Sequence, residues 1–204
     1  MLKPHNKARG EGLIIIKKVT QLHQIIPSDT YVVQRLVPNL LLLDRKKITF
    51  RIYVIISNLK VPIYSMPSLN VVKLAPRPYQ EGTPESEICN TSYSKRLGLP
   101  PTSYVLDHRL VSKETGVKWN LVKESINNTV NSFMHTVAWK ARKLQRRSCL
   151  LLWGLDIIIQ NIENKYYAIL LEVNHFPQIY RNHPSTDLAM DKMLSKDFFP
   201  SINK

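Results

Sequence analysis

Cysteine is scarce. The 204 residues hold two, Cys89 and Cys149, so no disulfide framework staples the fold and nothing points to an oxidising compartment. No internal repeat or low-complexity tract is present, which excludes solenoid and linker-like architectures. No apolar run reaches the length of a membrane span, and the opening residues Met1-Leu2-Lys3-Pro4-His5 are polar and do not read as a signal peptide. Acidic residues are also short: 15 Asp and Glu face 29 Lys and Arg, a formal net charge of +14. Such an excess predicts an acidic partner, whether nucleic acid, anionic membrane or acidic protein tail. What is present is hydrophobicity, at 44% of residues. That is enough to bury a core and too much for a disordered chain. The length suits one large domain, or one domain plus a piece of another.

The most informative stretch lies late in the chain. Leu155-Asp156-Ile157-Ile158-Ile159-Gln160 and Tyr167-Ala168-Ile169-Leu170-Leu171-Glu172-Val173-Asn174 are apolar, β-branched runs. They flank the polar Asn161–Lys165 segment and read as a β-hairpin. With the turn centred on Asn164, Asp156 and Glu172 become direct cross-strand neighbours, their Cβ atoms about 5 Å apart. Asn174 shares their face. Two bare carboxylates at that separation repel by about 3 kcal/mol at an effective dielectric of about 20, so the pairing gains if a cation sits between them. Two carboxylates and an amide are hard-oxygen ligands suited to Mg²⁺, which commonly completes its shell with water and nucleotide phosphates. The alternative is a chance pairing on a polar hairpin edge.

Upstream, Lys3-Pro4 and Lys7-Ala8-Arg9-Gly10-Glu11-Gly12 form a basic, glycine-containing loop before the strand Leu13–Ile16. Glycines let backbone N–H groups approach phosphate, although an ordinary turn has the same composition. A short helix is expected from Thr20 to Ile26, and strands at Tyr31–Val37, Ile63–Ser65 and Leu69–Leu74. Between Ile48 and Ser57 the alternation is strong: Lys47, Thr49, Arg51 and Tyr53 interleave with Ile48, Phe50, Ile52 and Val54. One strand face is thus polar and basic, and such faces are ordinarily solvated. Residues 75–116, with five prolines, read as long irregular connections. A long helix follows over Trp119–Gln145 on the spacing of Val122, Ile126, Val130, Phe133 and Val137. Cations from Lys140 to Arg147 crowd its end. A last short helix is expected over 185–194.

The order of these segments carries more than any one of them. Lys3-Pro4 with Arg9-Gly10-Glu11-Gly12-Leu13, Val33-Gln34-Arg35-Leu36, Leu41–Lys47 with Arg51–Val54, Cys89-Asn90-Thr91-Ser92, Gly154-Leu155-Asp156 and Leu171-Glu172-Val173-Asn174 with Pro177 occur in sequence. In this order they resemble the tubulin tyrosine ligase-like family of ATP-grasp ligases, over nearly the whole chain. The resemblance implies an α+β, ATP-grasp-like fold of antiparallel sheets with packed helices. Residues 1–38 would belong to the central subdomain and 39–204 to the C-terminal subdomain. Family members carry further sheet before the Lys-Pro motif, so an N-terminal portion is expected to be missing here.

The resemblance also implies chemistry. ATP and Mg²⁺ would be the cofactors, and a substrate carboxylate would be phosphorylated and then attacked by an amine. Lys3, Arg9, Gln34, Arg35, Leu36 and Lys47 would contact the nucleotide, with Gln34, Arg35 and Leu36 at the adenine. Asp156, Glu172 and Asn174 would hold the metal. Arg51, Lys73 and Asn90 would sit on the acceptor or amino-acid side. The partners would be tubulin or another acidic tail and a free amino acid, glutamate or glycine, with no nucleic acid and no membrane segment in this chain. The setting would be cytoplasmic, on microtubules or cilia. Four departures stand out. The family's Lys-Phe-Asp-x-Arg is Lys47-Ile48-Thr49-Phe50-Arg51; its His-Leu-Thr-Asn is Glu87-Ile88-Cys89-Asn90; Arg35 replaces a Lys; and Lys73 replaces an Arg. They leave open a non-catalytic module of the same fold that binds nucleotide or tubulin. A nucleic-acid binder finds no recognisable module or stacking motif.

Overall fold

The computed structural model describes residues 1–7, 10–24, 30–58, 63–66, 70–99, 103–104, 108–141, 151–175 and 177. Two antiparallel sheets organise them. The small one pairs β1 (Leu2–Pro4) with β2 (Tyr31–Val33), and Leu2 also bridges Ile14. The large one is built around β4 (Lys46–Asn58), thirteen residues whose β-branched and aromatic content favours extended pairing. A short β3 (Leu42–Leu43) enters it through the tight turn Asp44-Arg45, both residues at positive φ. On one side β4 pairs with β5 (Ile63–Ser65) and β6 (Asn70–Leu74).

The segment after β6 differs from the expected irregular connection. It contains α1 (Pro84–Glu87), α2 (Thr91–Arg96), the edge strand β7 (Ser103–Tyr104) and α3 (His108–Thr115). Pro84 sits at the start of α1, where a missing N–H is harmless. The long helix is α4 (Trp119–Ala141), and β8 (Leu151–Ile162) and β9 (Lys165–Asn174) complete the sheet in the order β7-β6-β4-β8-β9. The expected helix near residue 20 is a 3-10 segment, Val19–Gln24, and the strand at Tyr31 ends at Val33. The helix expected over 185–194, Cys149 and the cations after Ala141 lie outside the described residues.

The strand alternation sorts the core. Ile48, Phe50, Ile52, Val54 and Ile56 face α4, whose buried stripe is Val122, Ile126, Val130 and Met134. Phe50 meets Trp119, and Phe133 meets Trp153, at ring separations of 5.8 and 6.2 Å. The opposite face of β4 carries Lys47, Thr49 and Arg51. These are buried rather than solvated, at 6%, 5% and 5% exposure, because the small sheet and the residues around α1 cover them. Among the described residues no helix is long and apolar enough to cross a membrane.

Candidate functional site

A cavity of about 510 Å³ lies between the two sheets. Its wall takes Lys3 from β1, Gln34 just after β2, Lys47 and Thr49 from β4, Lys73 from β6, Asp156 from β8 and Glu172 from β9. Asn90 and Glu87 close another side, and Gly10 and Glu11 come from the glycine turn. Gly10, at φ 73°, lies where an added Cβ would meet Ile88 at 3.3 Å and Tyr93 at 3.5 Å. Only glycine allows the turn to close that tightly.

The expected cross-strand pairing of Asp156 with Glu172 is present, by a different route. Asp156 does pair with Glu172, and Gly154 with Asn174. The turn, however, is Glu163-Asn164, both residues at positive φ, and Ile162 pairs with Lys165. That register would place Glu172 opposite Leu155. A bulge between Asp156 and Ile157, with Leu171 as the extra residue, brings the two carboxylates together.

Asp156 is heavily engaged. Arg51 donates to it in a bidentate fork, through Nε to Oδ1 and through Nη2 to Oδ2 at 2.8 Å. Lys73 Nζ lies 3.1 and 2.9 Å from the same two oxygens. Burial disfavours the Asp156 anion, but the Arg51 hydrogen bonds and the Lys73 charge outweigh it and hold the carboxyl below its ordinary value. Burial lowers Lys73, against the pull of Asp156. Glu172 is raised, first by burial of its carboxyl and then by its hydrogen bond to Asp156 and that residue's charge. Asn174 turns its Nδ2 to Gly154 O at 3.3 Å and to Glu172 Oε1 at 3.5 Å.

Gly154 makes the Arg51 fork possible. A Cβ there would stand 2.8 Å from Arg51 Cδ and 2.7 Å from Pro177 Cβ. The glycine of Gly-Leu-Asp is therefore the space through which Arg51 reaches Asp156.

Seven of the expected site residues share the cavity wall: Lys3, Gln34, Lys47, Lys73, Asn90, Asp156 and Glu172. Arg35, Leu36, Arg51 and Asn174 do not line it. Arg51 stands behind Asp156, and Arg9 lies outside the described residues. Asn90 caps α2, its side-chain oxygen accepting from Ser92 N at 2.9 Å and Tyr93 N at 3.1 Å. Gln34 Oε1 is a buried acceptor with no donor among the described residues, the kind of atom a ligand donor satisfies. The basic face read from alternation is not a surface for steering acidic tails: Lys47 pairs with Glu87 at 2.8 Å, while Arg51 and Lys73 pair with Asp156. Glu87 was missed as a site residue. The departure at its position was visible, but its pairing with Lys47 across forty residues had no local signal.

The donor set fits a divalent cation. Glu172 and Asp156 are adjacent carboxylates, and burial first, then the neighbouring Asp156, raises Glu172. Among the described residues no third His, Cys, Asp or Glu joins them.

Two antiparallel sheets enclosing a polar cavity, with helices packed on the larger one, make this an α+β protein of the ATP-grasp-like class. The pattern defining the Tubulin-tyrosine ligase family matches residues 1–201, and the chain belongs to that family. It is similar to a probable beta-tubulin polyglutamylase of Tetrahymena thermophila, 24% identical over 97% of this chain and 18% of the relative. The tubulin polyglutamylase ttll-5 of Caenorhabditis elegans is 22% identical over 96% of this chain and 29% of its own length. The probable tubulin polyglutamylase TTLL2 of Mus musculus is 28% identical over 96% of this chain and 37% of its own. The chain thus spans less than two fifths of each of these relatives.

Proposed function

We propose that the chain carries the nucleotide and metal site of an ATP-dependent ligase that adds an amino acid, glutamate by the names of its relatives, to acidic tubulin tails on microtubules. One observation supports this most: a bulge places two carboxylates side by side in a cavity that also holds Lys3, Lys47 and Lys73. Of these, Lys3 and Lys47 face the phosphates and spread their charge. The buried Gln34 Oε1 accepts from the amino group of adenine.

Glu172 is the principal metal ligand, with Asp156 and Asn174 beside it, because Arg51 and Lys73 already occupy both Asp156 oxygens. Mg²⁺, when bound, neutralises the phosphate oxygens between which charge shifts during transfer. A tail carboxylate oxygen attacks the terminal phosphorus of ATP, the bond to the bridging oxygen breaks, and ADP leaves. The amine of the incoming amino acid then attacks the acyl carbon. It loses a proton, inorganic phosphate departs, and an amide remains. Lys73 and Asn90 face the acceptor side of this sequence. Arg51 keeps Asp156 ionised and oriented.

Calorimetric titration with ATP, with and without Mg²⁺, tests the reading. Glu172→Gln should weaken Mg·ATP binding at least tenfold and leave metal-free ATP within about twofold, a difference of about 1 kcal/mol or more. Equal loss in both would remove Glu172 from the metal site.

A further inference from the structure

Lys47 has a partner that the chemistry above does not use. Its ammonium donates to Glu87 Oε2 at 2.8 Å, and the two side chains are 7% and 1% exposed. The other Glu87 oxygen accepts from Gly82 N–H at 3.4 Å. Burial, with the Glu87 charge beside it, pushes the Tyr79 hydroxyl up to about 12. Glu87 stands on α1, which begins with Pro84 and is tied down by Ser86 Oγ bonding Gln80 O at 2.6 Å and Thr83 O at 3.0 Å. The carboxylate is therefore held by two donors, one to each oxygen, on a fixed element. It lines the cavity together with Lys47.

A carboxylate so placed has the chemistry of a phosphate oxygen: an anion accepting from Lys47. On the nucleotide reading given above, we propose that Glu87 is an internal competitor for phosphate, holding Lys47 and lowering the affinity of the cavity for polyphosphate. The competition is local and electrostatic. It weakens ligands carrying phosphates and leaves their nucleobase untouched, and the gain from removing it depends on Lys47. A purely structural role for the pair would instead lower every affinity together.

Glu87→Gln keeps the shape and the acceptor for Lys47 but removes the charge. Affinities are measured by calorimetry for ATP, adenosine and inorganic tripolyphosphate, with folding checked by thermal melting. ATP and tripolyphosphate should bind about tenfold tighter, as expected for one unit charge at the edge of a protein cavity, with adenosine unchanged. Lys47→Met in the same chain should erase the gain. If Glu87→Gln does not fold, Glu87→His at pH 8, where an ordinary imidazole is neutral, removes the same charge. Unchanged or weaker phosphate binding in a folded variant overturns the proposal, as does a gain that survives Lys47→Met. A gain for tripolyphosphate when neither ATP nor adenosine binds supports Glu87 as competitor and overturns the nucleotide reading instead. Failure of all three ligands to bind any form overturns both.

Discussion

Replacing Asp156 by Asn separates what holds the sheet from what holds a ligand. Asp156, Arg51 and Lys73 are each 5% exposed, and the carboxylate serves both cations. Removing one partner of a buried pair leaves an uncompensated charge and costs about 3–5 kcal/mol. Here two cations lose their anion, while the remaining amide oxygen still accepts one bond, so a loss of about 4 kcal/mol is expected. That is a large fraction of the roughly 5–15 kcal/mol that stabilises a domain. Urea denaturation followed by the fluorescence of Trp119 and Trp153 reads it directly. The pH dependence supplies a second signature. The folded carboxyl lies below its ordinary value of 3.8, so its contribution is fully present above 3.8 and is lost as pH falls through the lower, folded value. The gap between wild type and Asp156→Asn should therefore close in that acid range. Glu172 has the opposite sign: its raised carboxyl makes the ionised form unfavourable in the fold, a penalty that grows as pH rises through the raised value. Glu172→Gln should thus leave stability at neutral pH unchanged or slightly higher, although it removes a ligand. An Asp156→Asn loss under about 1 kcal/mol would refute the view that this carboxylate anchors two buried cations.

Gly154→Ala puts a methyl group within 2.8 Å of Arg51 Cδ and 2.7 Å of Pro177 Cβ. It should cost about 1–3 kcal/mol by displacing the Arg51 fork, and an unchanged melting temperature would show that the fork adapts. Binding of polyglutamate peptides should fall steeply as salt rises, because the net charge is +14. The cations responsible are the exposed ones, so Lys47→Met should leave peptide affinity within about twofold of wild type; a larger loss would return the tail to the cavity floor.

Much of the site was legible because it is written in strand periodicity. The alternation in β4 correctly placed Lys47, Thr49 and Arg51 on one face, and the hairpin correctly joined Asp156 to Glu172. Both readings stop where distant segments act. Alternation separates two faces but does not say which one a remote segment covers. The polar face became buried because residues 1–7, 10–13, 32–34 and 87–90 close over it. In the hairpin, centring the turn on Asn164 and omitting the bulge were two errors that cancelled at Glu172. A bulge at Leu171 has no local code, since it answers the packing of the whole strand. The α1 helix escaped notice for another reason: four residues span about one turn, too few to show a period. α4 was clear in existence, and its central stripe runs through Met134 rather than Phe133 and Val137.

Thr49 is where composition alone misleads. Its position resembles one that is acidic in the family, which suggests that Thr49→Asp would repair the site. The cavity wall says otherwise. Lys47 already has Glu87, and Lys73, the cross-strand neighbour of Thr49, already has Asp156. Lys47 is thus met by Glu87, and Arg51 and Lys73 are met by Asp156, with Glu172 beside it on the next strand. The carboxylate absent at residue 49 stands at 87, on the other side of Lys47. A further Asp at a position only 5% exposed would be buried between Lys47 and Lys73, which already have carboxylate partners. Thr49→Asp should therefore cost about 1–3 kcal/mol of stability and weaken ATP binding about tenfold by adding a negative charge to the cavity wall. The double change Thr49→Asp with Glu87→His restores the count of carboxylates and should recover most of both losses at pH 8. The four proteins of this cycle, compared by urea denaturation and ATP titration, test whether the two positions are coupled through Lys47. Independent, additive effects at 49 and 87, or tighter ATP binding by Thr49→Asp alone, would show that charge balance across the cavity does not govern this site.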